Sequence, residues 1–128
     1  MKAAILHTLN APLSVRNNIE LPKLRRGQVL VKLAYSGVCH SQLMEARGRR
    51  GEDAYLPHLL GHEGSGVVVQ VGPQVAKVSS GDSVVLGWIK GRGIEAGGVQ
   101  YMCPDGILNG GNCFGIIVLV PDHFLFLF

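Results

Sequence analysis

Apolar and polar residues alternate most clearly in "VLVKLAYSG" (29–37). Val29, Val31, Leu33 and Tyr35 fall on one side, and Lys32 and Ser36 on the other. Period-two alternation of this kind predicts a half-buried strand. "KAAIL" (2–6) reads as a first strand, and "LSVRNNIEL" (13–21) as a second after the "NAP" turn. Beyond Gly37 the alternation stops. "HSQLMEARG" (40–48) then reads as one short helix, with Ser41 as N-cap and Gly48 just past its end. "RRGEDAYLPH" (49–58) reads as a loop, and "EGSGVVVQVG" (63–72) as a strand whose glycine-rich start favours a bulge. A turn, a short strand and a turn are expected over 72–82, and a further strand over 83–89. From Lys90 to Asn112 the chain reads as loop. About six strands and one or two short helices point to a mainly β fold, an antiparallel barrel or sandwich.

Composition supports that picture. The chain has 128 residues, room for one domain with a core of its own. Eighteen glycines suit tight turns and close backbone approach rather than a helical bundle. The charge is +3, from 12 basic and 9 acidic residues. The basic residues gather at 23–26 and 47–50 with no aromatics between them, so no nucleic-acid partner is expected. Three cysteines, an odd number, do not make a disulfide framework. The start "MKAAILHTLNAP" lacks a signal-peptide core, and no apolar run is long enough for a membrane helix. A reducing, cytoplasmic setting with no membrane partner is the expectation.

The chemistry gathers in two short stretches. "GVCHS" (37–41) carries Cys39, His40 and Ser41; "LGHEGSG" (60–66) carries His62 and Glu63. Zinc takes thiolate sulfur and imidazole nitrogen, and a catalytic site keeps one position open. Cys39 follows a predicted strand and His62 precedes one, so ends of strands distant in sequence can bring them to one rim. Gly37, Gly61, Gly64 and Gly66 leave room for close approach. By spacing alone, a buried structural cysteine and an unrelated histidine are the commoner reading.

"MKAAILH", "GQVLVKLAYSGVCHS", "LPHLLGHEGSGVVVQVGPQV" and "SSGDSVVL" together resemble the N-terminal, catalytic half of the zinc-containing medium-chain alcohol dehydrogenases. The resemblance covers residues 1–111 and implies a GroES-like β-barrel. It implies that Cys39 and His62 are two ligands of the catalytic zinc and that Glu63 is a carboxylate able to approach it. It further implies that Ser41 relays the alcohol's proton, and that His40 lies near the cofactor phosphates at the end of that relay. Alcohols and aldehydes are the implied small-molecule substrates, and NAD(P) the cofactor of the full-length form. The presence of both Cys39 and His62 argues against a zinc-free, quinone-reductase-like relative.

Four features depart from that family. Gln42 stands where an Asp usually braces the zinc-bound histidine; its amide oxygen can accept a hydrogen bond but carries no charge. Only Cys103 and Cys113 lie where many members have four closely spaced cysteines of a structural zinc lobe, so that zinc is not expected. The segment 112–128 holds all four phenylalanines and does not match the family's continuation; it reads as a buried strand, a partner-seeking edge or a frame change. Finally, no dinucleotide-binding βαβ unit is recognisable. The nearest candidate, "GRGIEAG" (91–97), has its glycines wrongly spaced. The expectation is a truncated catalytic half, inactive alone. The alternative is a non-enzymatic interaction module that associates with a partner such as a full-length subunit.

Overall fold

The computed structural model of the chain describes residues 1–89, 92–94, 98–110 and 116–119. Nine strands and one helix are described: β1 (Ala3–Leu6), β2 (Ser14–Arg16), β3 (Val29–Tyr35), α1 (His40–Ala46), β4 (His58–Leu59), β5 (Gly64–Val71), β6 (Ser83–Leu86), β7 (Gln100–Cys103), β8 (Gly106–Asn109) and β9 (Ile116–Leu119). They form a five-stranded sheet in the order β2-β1-β4-β8-β7 and a four-stranded sheet in the order β6-β5-β3-β9. The mainly β chain with a single short helix is what the alternation predicted. Most pairings are antiparallel, but β3–β9 and β4–β8 are parallel.

Each sheet has its own apolar cluster. Ala3, Ile5, Ile19, Val99, Tyr101, Cys103 and Leu108 are buried on the five-stranded sheet. Val31, Leu33, Val68 and Leu86 are buried on the four-stranded one. Met1 packs against both clusters. Its ammonium donates to the Ile19 carbonyl at 2.6 Å, and the Ile19 amide donates back to the Met1 carbonyl at 3.1 Å. All four residues of β1 are buried, as its continuous apolar run between two neighbouring strands requires.

Several elements differ from the sequence reading. The second strand is only three residues, because the polar Asn17 and Asn18 that follow gain nothing from burial; Glu20 returns to the sheet by a lone bridge to Met102. No strand forms in the described 72–82 segment, which turns instead. β6 stops at Leu86, leaving Trp88 and Ile89 exposed. Tyr35, assigned to the buried side of β3, is 74% exposed, because the β3–β5 register shifts between Leu33 and Tyr35. At the glycine-rich start of β5 the irregularity puts its extra residue, Ala34, on β3 rather than on β5, and a second shift lies between Leu30 and Val31. The supposed loop after Ile89 contains the β7–β8 hairpin, turned by "CPDG" with Gly106 at φ 127°. Of the 112–128 segment, residues 116–119 form β9 beside β3. The rest of that segment, Cys113 included, lies outside the described residues, as do Gly91 and 95–97 of the phosphate-loop candidate.

Candidate metal and catalytic site

β3 ends at Tyr35, and the chain turns through Gly37 into α1. Cys39, not Ser41, is the N-cap. Its sulfur accepts the Ser41 amide at 3.3 Å, while its own amide donates to Gln42 Oε1 at 2.7 Å. The side chains at N-cap and N3 therefore satisfy each other's backbone donors, a capping box with a thiol in the hydroxyl's place. The same bonds fix where the sulfur points.

His62 lies two residues before β5, which pairs with β3. That pairing brings His62 Nε2 to 3.4 Å from Cys39 Sγ. Close passage needs glycine at position 66, where a Cβ would strike the Lys32 carbonyl oxygen; a Cβ on Gly37 would meet the Glu63 carboxylate, the movable end of a side chain. Gly61 serves differently. The space around it is open, and its φ of +128° is what excludes other residues.

Ser41 Oγ is 2.7 Å from Cys39 Sγ. This hydroxyl contact holds the Cys39 thiol below its ordinary value of 9.0, and the Ser41 and Gln42 amides add to the effect; burial and the Glu63 charge push the other way without cancelling it. The carboxylate of Glu63, close against Gly37, does not come within 4.8 Å of both Cys39 and His62 ligand atoms. His40 is exposed on the first turn of α1. Gln42 is 1% exposed; its oxygen serves the cap, and its Nε2 meets no hydrogen-bond partner among the described residues. Cys103 is a core residue of β7.

A cavity of about 330 Å³ opens beside Cys39, walled by Leu13, Val38, His40, Gln42, Leu43, Ala46 and Leu60. Its lining is mostly apolar, with polar groups gathered at the α1 end.

The structure also assembles a group that the sequence reading missed. His58 Nε2 lies 2.8 Å from Asp53 Oδ2 and 3.7 Å from Glu45 Oε1. Burial raises the Asp53 carboxyl, but the Tyr55 amide and the His58 ring hold it below its ordinary value overall. Asp53 and His58 were assigned to a loop and Glu45 to the helix, and no short motif joins them. The local signal is a histidine leading into the apolar pair Leu59–Leu60, a placement that buries its ring.

Comparison with known proteins agrees with this architecture. Residues 25–127 match the family model of the alcohol dehydrogenase GroES-like domain. The match runs past residue 111, where the sequence reading ended the domain. An alcohol dehydrogenase of Geobacillus stearothermophilus is 38% identical over 115 aligned positions, covering 87% of this chain and 33% of its own length. The NAD-dependent alcohol dehydrogenase of Sulfolobus acidocaldarius is 38% identical, covering 96% of this chain and 39% of its own length. The crystal structure of the alcohol dehydrogenase from Aeropyrum pernix shares the fold with a TM-score of 0.57 at 36% identity, over 65% of this chain and 25% of that one. This chain thus spans no more than about two fifths of the length of these relatives.

Proposed function

The chain belongs to the alcohol dehydrogenase GroES-like domain family, and from that premise we propose that it forms the metal-binding half of a zinc-dependent oxidoreductase. Such an enzyme interconverts alcohols with aldehydes or ketones and exchanges hydride with NAD(P). One observation carries the reading: Cys39 Sγ and His62 Nε2, 23 residues apart in sequence, stand 3.4 Å apart. Tetrahedral zinc with ordinary Zn–S and Zn–N bonds separates two such ligands by about 3.5 Å. The donor set and its spacing therefore fit the metal.

Bound zinc would supply a Lewis acid that brings an alcohol's ionisation toward neutral pH. The chain's own residues do the rest. Cys39 and His62 hold the metal, with Glu63 as the neighbouring carboxylate. Ser41, whose hydroxyl touches the ligand sulfur, relays the alcohol's proton, its Oγ accepting that proton as it releases its own toward exposed His40 and solvent. We also assign His40 to the cofactor phosphates. The apolar cavity beside Cys39 takes the carbon chain of a small alcohol. A free thiol ligand suits a reducing compartment such as the cytoplasm. No helix among the described residues is long and apolar enough to cross a membrane.

Cobalt(II) provides the test. Loading the full chain should produce intense near-ultraviolet sulfur-to-cobalt absorption. Cys39→Ser should abolish that band, and His62→Ala should weaken cobalt binding at least tenfold. A band unaffected by both substitutions would sink the assignment. In a longer protein carrying this half, either substitution should also remove alcohol oxidation.

A further inference from the structure

We propose that Glu45, Asp53 and His58 form a second, structural site for a divalent metal ion of the zinc class, made only of nitrogen and oxygen donors. The three come from separate pieces of the fold: Glu45 from α1, Asp53 from the segment after it, and His58 from β4. Among the described residues they are the only set of three or more ligand-grade side chains whose donor atoms all lie within 4.8 Å of one another.

Hydrogen bonding fixes the chemistry of the ring. His58 is 4% exposed, and its Nδ1 lies 3.0 Å from the Leu59 carbonyl oxygen. A carbonyl only accepts, so Nδ1 carries a proton. A ring holding only that proton presents a lone pair at Nε2, and two carboxylate oxygens face that atom. Three acceptors converging in a largely buried place repel one another unless a cation lies between them. The carboxylate is oriented too. Asp53 Oδ1 accepts the Tyr55 amide at 2.9 Å, which leaves Oδ2 turned to the ring. Outer contacts of this kind are what hold metal ligands in place.

A second proton on the ring would also relieve the repulsion, but it reaches only one acceptor. It bridges Nε2 to Asp53 at 2.8 Å and leaves Glu45 at 3.7 Å, beyond a hydrogen bond. A metal ion reaches both. Tetrahedral Zn–N and Zn–O bonds set ligand atoms about 3.4 Å apart, between the two observed distances. Such an ion would clip α1 to β4 across the intervening loop, stabilising the segment that leads to His62.

Cys39→Ser silences the sulfur site and keeps a good N-cap, so it is the background for the test. Equilibrium dialysis of that chain against zinc alone should give about one bound zinc per chain. Adding Glu45→Gln or Asp53→Asn should weaken this binding at least tenfold. Nitrogen-15 NMR should show the His58 Nε2 proton absent at saturating zinc. No zinc uptake by the folded Cys39→Ser chain would overturn the proposal. So would uptake unchanged by both further substitutions, or a doubly protonated His58 at saturating zinc.

Discussion

The Ser41 hydroxyl at 2.7 Å is the largest influence on the Cys39 thiol, and it favours the thiolate. Removing it leaves only the two amides on the favourable side, so the thiol's ionisation must move up in pH. Ser41→Ala should therefore shift the pH profile of Cys39 alkylation upward, with slower reaction near neutral pH at equal reagent. Mass spectrometry of the Cys39 peptide reads the rate at that cysteine alone. An unchanged profile would mean the hydroxyl does not donate to the sulfur. Gln42 belongs to the same scale. It stands where the family's Asp braces the metal-bound histidine, and its oxygen accepts instead from the Cys39 amide. Gln42 therefore acts first on the orientation of the cap.

At the scale of elements, the site depends on how closely β3 and β5 pass. Gly66 pairs with Leu33, and any Cβ there meets the Lys32 backbone oxygen, which cannot swing aside as a side chain would. Gly66→Ala should cost about 1–3 kcal/mol, the usual penalty of overpacking, measured by urea denaturation. Gly81→Ala makes a useful contrast. Nothing lies within 4 Å of its added Cβ, and the whole cost comes from its φ of +97°. The β7–β8 hairpin shows why some elements escape a pattern reading. Val99, Tyr101 and Cys103 are buried in alternation, but Met102 between them is apolar and 49% exposed, which hides the period. β4 is two residues long, too short for any period to show.

For the whole molecule, Met1 packs against both apolar clusters. Stability should follow burial rather than hydrophobicity. Ile5 is fully buried on β1, so Ile5→Ala should cost about 2–5 kcal/mol. Val85 is 87% exposed on β6, so Val85→Ala should stay within about 0.5 kcal/mol. Thermal or urea unfolding of the two variants checks the pair, and comparable losses would contradict the core described above. The separation of the two sheets explains the site's position. Cys39 and His62 sit at the ends of segments joined by β3–β5 pairing, while His58 belongs to the other sheet through β1.

The sequence by itself determined the mainly β character and the short helix after Gly37, while only the resemblance to a known family set "GVCHS" beside "GHEGSG" as an expectation. Alternation and glycine placement are local properties, and the family's motifs are contiguous. It also brought Cys39 and His62 forward as residues of metal-ligand type, and the family resemblance added the roles of His40, Ser41 and Glu63. Tertiary structure alone decided which of them meet. It set Cys39 Sγ against His62 Nε2 and kept Glu63 from joining them within ligand distance. It also gathered Glu45, Asp53 and His58 from a helix, a loop and a two-residue strand. The reason is one of range. Periodicity reports on neighbours along the chain, whereas a metal site is made by strand register and loop closure, which bring together residues that no local pattern connects.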